Sequence, residues 1–396
     1  MRLALASCGG VVAAVALTAC GGAPSHTTST QPTVTTSAPP RQNESLPWPT
    51  YGADNARTRA VTATGVRPPF RREWTFHGHT LLELPPVAGY GLVFEESFDG
   101  LIHALDPATG AERWSYVSRR CGWSSPALGD GLVFATFIGG VTVPCSRLPG
   151  GAIVALSATT GHVRWSRDIG QSESSPLVSH GTVYVGGTDG RVYALSAATG
   201  RELWSYDVGG PVKASPALEN GRLFVGDYGG RFVALDARTG RLIWEKSGYG
   251  DFYSGPSVVD GRVYVGSKDG NVYAFSAATG AQLWRFTTGT YVYASPAVWR
   301  GIVLVGSYDH RFYAINGATG TMRWDFDAGG KISGAASVVD GIVYFSTLDP
   351  HKTYALDAAT GRVTEQWNDG DYSPAIAAYG RLFLVGLGRM YALAPR

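Results

Sequence analysis

The chain has 396 residues, 53 of them Gly, and its 33 Lys plus Arg against 31 Asp plus Glu leave a net charge of +2. That balance gives no electrostatic footprint for nucleic acid. The length alone would accommodate two or three domains, but one repeat runs through nearly all of it and argues for a single one.

The first segment, MRLALASCGGVVAAVALTAC, has one early Arg, an apolar stretch and then Leu17-Thr18-Ala19-Cys20. It is predicted as a signal peptide over residues 1–19 ending in a bacterial lipobox, with Cys20 lipidated as the first mature residue. The alternative is a short N-terminal membrane helix with an incidental Cys. Residues 20–45 are rich in Ser, Thr and Pro without apolar periodicity, and are expected to form a disordered tether. The globular part, residues 46–396, is thus expected outside the cytoplasm, lipid-anchored to the outer face of the cell membrane.

From there the chain is periodic. A Thr-Gly turn recurs at Gly110, Gly161, Gly200, Gly240, Gly280, Gly320 and Gly361, at spacings of 51, 39, 40, 40, 40 and 41 residues. A Trp follows four residues after six of these glycines, and six after the last (Trp367). A Ser-Pro mark lies about ten residues beyond most of the tryptophans, at Pro126, Pro176, Pro216, Pro256, Pro296 and Pro374. Each unit divides into four short strands. In one of them these are ASPALE, RLFVGDY, RFVALDA and RLIWEKS, separated by Asn-Gly, Gly-Gly and Thr-Gly. Turns this frequent leave no window for a stable helix. The third strand is nearly all apolar, as expected of a strand covered on both faces.

Such units predict an all-β, eight-bladed β-propeller of four-stranded blades. The third strand occurs eight times, the last being Met390 to Leu393, with no turn and Trp after it. The missing fourth strand stands at the other end, as REWTFHG around Trp74. An N-terminal strand completing the C-terminal blade would close the ring and remove the sheet edges.

Cys121 and Cys145 are the two cysteines of the globular part. Cys121 lies in the loop leading into the second blade. Cys145 lies in that blade's long second-to-third loop, IGGVTVPCSRLPGG, which also accounts for the spacing of 51. Strands alternate in direction, so both loops fall on one face. A disulfide between them is expected to pin the insertion and stabilise by roughly 3 kcal/mol; two free buried thiols are the alternative.

The pattern A-x-x-x-TG-x-x-x-W resembles the tryptophan-docking repeat of pyrroloquinoline-quinone-type (PQQ-like) propellers, and WPTYGADNARTR, from Trp48 to Arg59, resembles the segment before the first blade in that superfamily. The resemblance implies that Trp74, Trp114, Trp165, Trp204, Trp244, Trp284, Trp324 and Trp367 are structural, packing between neighbouring blades. Two groups share the repeat: quinoprotein dehydrogenases, which carry quinone and calcium, and non-catalytic binding or scaffold propellers of the BamB lipoprotein type. The dehydrogenases generally have adjacent cysteines over the quinone, a Trp platform and a Glu/Asn/Asp set. Here there is no Cys-Cys pair, and Trp123 beside Cys121 is the only hint of a platform.

No G-x-S-x-G, H-E-x-x-H or Walker-type loop occurs, so no catalytic residue is assigned. His77, His79, His103, His162, His180, His310 and His351 are scattered over the blades without ligand spacing, and are expected at the surface or in turns rather than on a metal. The candidate site is the channel rim. The residue three before the Ser-Pro proline, or its equivalent, is Glu83, Trp123, Glu173, Lys213, Tyr253, Tyr293, Ser333 and Asp371 in blade order. Equivalent positions converge on the axis, yet these differ in size and charge. They make either a site for a polar ligand or a partner's loop, or a solvated rim with Glu173 and Lys213 as an ion pair.

The expectation is a monomeric, non-catalytic binding or scaffold propeller without cofactor, whose partner is an envelope protein or a small polar ligand. The alternative is a PQQ-dependent dehydrogenase of alcohols or sugars, with calcium.

Overall fold

The computed structural model describes residues 46–139, 150–370, 372 and 375–396. These form eight sheets arranged as an eight-bladed propeller, each blade an antiparallel set of four strands; Ala60–Val61 adds a parallel fifth strand to the seventh blade and Cys121–Gly122 a fifth to the second. The blades cover residues 87–117, 121–168, 177–207, 217–246, 257–287, 297–327 and 337–367, and the eighth joins residues 375–395 to the strand Phe70–His77. That strand pairs antiparallel with Arg389–Pro395, setting Phe70 opposite Pro395 and His77 opposite Arg389. The ring therefore closes as the repeat count requires.

Each blade opens with a hairpin whose two turn residues both have positive φ, as in Asn220-Gly221 (49° and 73°) and Asp260-Gly261 (52° and 71°). This is the two-residue turn whose twist matches that of the flanking strands. Second and third strands are buried along most of their length; fourth strands face solvent and bury little besides the Trp, as in Leu242–Lys246.

The Trp and the Thr-Gly turn meet between blades. The indole N–H of Trp74, Trp114, Trp165, Trp204, Trp244, Trp284 and Trp324 donates to a carbonyl in the turn of the next blade, at 2.8–3.3 Å. The turn glycine lies flat against the ring: a Cβ on Gly240 would stand 2.6 Å from Trp204. That glycine also has φ of 71°, so turn conformation and ring contact demand the same residue. Trp367, the slipped copy, packs instead near Phe70 of the closing strand and Tyr344.

The Ser-Pro marks build an inner belt. Ser175 Oγ accepts from the Ser125 amide, Ser215 Oγ from Ser175, and Ser295 Oγ from Gly255, at 2.8–3.0 Å. Beneath it the segment from Trp48 to Val61 winds past blade after blade. Its carbonyls at Pro49, Asn55, Ala56, Thr58 and Arg59 accept from Leu128, Leu218, Val258, Val298 and Val338, at 2.7–2.9 Å. This segment is the axial hub.

Candidate functional site

Seven of the eight rim positions converge. Glu83, Trp123, Glu173, Lys213, Tyr253, Tyr293 and Ser333 line one axial chamber of about 60 Å³, with Tyr51 of the hub and Tyr372. Asp371, the eighth, lies outside the described residues. All but Glu83 also line a funnel of about 700 Å³ that continues from the chamber.

The funnel has a second ring that the sequence reading missed. It comes from the turns between second and third strands and contributes Phe98, Thr188, Tyr228 and Tyr308. The signal was present as an aromatic directly after the strand in ESF, GDY and GSY. Tyr228 meets Tyr253 edge-on at 5.7 Å, Tyr253 meets Tyr293 at 5.5 Å, and Tyr293 meets Tyr308 at 4.9 Å. Blades four to six thus present a continuous tyrosine wall. Across the axis Phe98 packs edge-on against Trp123 at 5.1 Å. Burial, with Glu173 nearby, pushes the Tyr253 hydroxyl well above its ordinary pKa, so it stays a neutral donor.

Charges in the funnel are largely matched. Lys213 Nζ lies 2.8 Å from Glu173 Oε1 and 5.0 Å from the centre of the Tyr228 ring. Outside the lining but near Tyr293, Lys268 Nζ lies 2.9 Å from Asp251. The Glu173–Lys213 pair links adjacent blades and is partly exposed, so it contributes under ~1 kcal/mol to stability. What remains is an aromatic surface with neutral hydroxyls.

Other expected residues fall elsewhere. The eight tryptophans lie on the outer strands and take no part in the funnel. Cys121 is buried in a short strand paired with Phe137–Ile138, whereas Cys145 and Cys20 lie outside the described residues. Six of the seven histidines are exposed, but His103 corrects the expectation. It sits in the strand Leu101–Leu105 at 2% exposure, where Nδ1 meets Glu112 at 2.6 Å and the ring packs on Phe76 of the closing strand. A third-strand position faces the gap between blades, which makes burial the default there.

Blade one departs from the repeat at two neighbouring positions as well. Glu95 and Glu96 stand where blades three to six have Val and Gly. Both are buried, and burial drives both carboxyls well above their ordinary pKa. Glu96 accepts from Ser124 Oγ at 3.1 Å, whereas Glu95 is paired across the strands with His103 and has no hydrogen-bond partner among the described residues.

The family described as outer membrane protein assembly factor BamB matches residues 98–214, 188–292 and 268–396. The chain belongs to that family. Its overlapping matches are what a repeat of equivalent blades produces. Among curated relatives, the chain is 27% identical over 145 residues to the outer membrane protein assembly factor BamB of Bordetella pertussis, covering 34% of each chain. It is 32% identical over 85 residues to the BamB of Burkholderia pseudomallei, covering 22% of this chain and 21% of that one. These alignments span about a third or less of either relative. Among solved structures, BamB from Moraxella catarrhalis is similar with a TM-score of 0.65 at 19% identity, over 83% of this chain and 98% of that one. A europium-containing methanol dehydrogenase is similar with a TM-score of 0.73 at 14% identity, over 89% and 99%. At such identities the structural likeness shows the fold, and the choice between scaffold and enzyme falls to the site.

Proposed function

We propose that this protein is an extracytoplasmic, lipid-anchored propeller that acts as a non-catalytic binding or scaffold module of the cell envelope, with the funnel as its recognition surface. One observation carries the reading: the funnel is walled by neutral aromatic side chains, and the two charged residues in its described lining, Glu173 and Lys213, are paired with each other. Tyrosines of this kind supply large contact area and hydroxyl donors at low entropic cost, as binding hot spots do. Family membership and the curated relatives' names support an envelope setting and a protein partner, for which a protruding loop suits the funnel's dimensions. Anchoring would come from Cys20, and fractionation of Cys20→Ala tests it: the variant should leave the membrane, and persistence there after a salt wash would contradict it. The Cys121–Cys145 disulfide belongs to the same reading, checked by recovering the linked peptide after non-reducing digestion; two free thiols would refute it.

The funnel could accommodate a planar cofactor such as pyrroloquinoline quinone, but the described residues do not fit a quinone–calcium centre. Glu173 and Asp251 are each held by a lysine, and among the described residues no group of three or more His, Cys, Asp or Glu is arranged to hold a metal. Purified protein incubated with pyrroloquinoline quinone and calcium should therefore reduce no dye with alcohols or sugars as donors. Turnover that depends on both additions would sink the scaffold reading.

A further inference from the structure

The two faces of the ring differ in what they expose. Strands alternate in direction, so the turns between second and third strands open on the funnel. The first hairpin and the Thr-Gly turn of each blade open on the opposite face, beside the hub. On the funnel face the turns carry acids at one repeated position, Asp99, Asp189, Asp269 and Asp309. On the hub face the fourth strand begins with an exposed apolar residue in six consecutive blades. These are Val163, Leu203, Ile243, Leu283, Met322 and Val363, at 41–52% exposure. Each stands two or three residues after its turn glycine. Equivalent positions in a ring of blades lie at one level along the axis, so these residues mark out a plane at the perimeter. A single exposed Leu needs no explanation, but an arc of six does. The Trp that follows supplies the docking on the next blade, so blade packing does not provide one.

Arginines accompany the arc. Arg164, Arg201, Arg241, Arg323 and Arg362 flank the apolar residues, all are exposed, and none forms an ion pair with a described residue. The carboxylates nearby are engaged. Glu202 holds Arg167, and Asp236 and Asp357 accept from the amides of Thr239 and Thr360 in their own turns. Blades eight and one break the arc, with Glu73 and Glu112 in the corresponding stretch.

The chain also enters the propeller on this face. Leu46, the first described residue, lies against Gly89 and lines a cleft with Asp130, His180 and Gly181 of the first hairpins. Residues 20–45 precede it, a covalent reach of no more than about 90 Å. With Cys20 in a bilayer, the hub face is the one this length of chain meets without passing around the blades.

We propose that the hub face docks on an anionic lipid surface, its apolar arc entering the headgroup region and its arginines meeting lipid phosphates, with the funnel turned away from the bilayer. The choice of occupant rests on the anchored reading given above. Apolar residues interspersed with arginines at one level suit a flat interface, where binding grows with buried apolar area and with attraction to anionic lipid. The acidic turns of the funnel face are repelled by the same lipid, which fixes the orientation.

Vesicle flotation of residues 20–396 carrying Cys20→Ala tests docking without the anchor. The protein should float with phosphatidylcholine vesicles containing roughly a third phosphatidylglycerol, at about 0.1 M salt. It should float at least about fivefold less with phosphatidylcholine alone, or at about 0.5 M salt. Equal flotation with both lipids, or none with either, overturns the proposal. Leu283→Glu combined with Met322→Glu should reduce flotation at least about tenfold while melting within about 2 °C of the parent. Arg323→Glu on the arc and Lys331→Glu, beside Tyr308 on the funnel face, change the net charge equally. The first should lose about fivefold and the second nothing; equal losses would mean that net charge alone drives binding, and overturn the proposal. If the glutamate variants do not fold, the lipid and salt dependence of the parent decides. An arc that pairs two copies instead would give a dimer in sedimentation, dissociated by Leu283→Glu, and no flotation, which also overturns it. High salt releases the unlipidated protein, so salt-washed fractionation of Cys20→Ala still reports the anchor alone. Its failure strikes the anchored reading, whereas failure of flotation strikes only the docking of this face.

Discussion

The outer and inner rings of this propeller use repetition in opposite ways. On the outside the same Trp docks on the same turn seven times, with one hydrogen-bond geometry. On the inside, equivalent positions hold Glu, Trp, Lys, Tyr and Ser around one axis. Packing between identical blades has one good solution, so selection for stability produces uniformity. An axial surface has no such requirement, and its variety marks the region free to specialise. Repeated residues hold the ring together, and unrepeated ones give it something to recognise.

The largest expected effect breaks the uniform ring. Trp244, 8% exposed, stacks on Phe232 and donates to Ala277, so Trp244→Ala should cost ~3–5 kcal/mol in chemical denaturation. A loss under ~1 kcal/mol would show that the indole is dispensable to blade packing.

A smaller effect sharpens the comparison within one blade. Glu95 occupies a uniform position with an exceptional residue. Its folded-state pKa is raised, so between about pH 4.5 and that raised value the folded state binds more protons than the unfolded one. The stability linked to Glu95 is therefore fully present below pH 4.5 and declines as pH rises. Glu95→Gln should raise stability by about 1–3 kcal/mol at pH 8 and by little at pH 4.5. An equal effect at both pH values would mean that Glu95 is not held neutral.

Most of the architecture was legible because it rests on repetition. The Thr-Gly and Trp marks located seven docking contacts, and counting third strands located the closing strand at Phe70–His77. The rim was legible from register alone: equivalent positions in equivalent strands must converge. The rest lay where register gives no information. The hub's path past six blades depends on backbone hydrogen bonds from a segment without periodicity, so the burial of Arg57 and Arg59 had no signal beyond the motif that contains them. Tyr228 and Tyr308 sit in turns, where composition is ordinarily free, and only comparison across blades exposes them. His103, expected at the surface, has a register position that other blades fill with buried Tyr, as at Tyr273 and Tyr313. Its polarity misled where its register did not.

The smallest expected effect on stability accompanies the largest on function. Tyr253→Ala and Tyr293→Ala should each melt within a few degrees of the parent, since both rings border open space rather than a blade core. A photo-crosslinking residue at Tyr308 in intact cells, set against one at Leu203 on an outer strand at 44% exposure, then tests the division of labour most directly. The expected result is a discrete crosslinked partner from the funnel position, lost on Tyr253→Ala or Tyr293→Ala, and none from Leu203. The same crosslinked species from both positions, unchanged by either tyrosine substitution, would contradict the assignment of recognition to the inner ring.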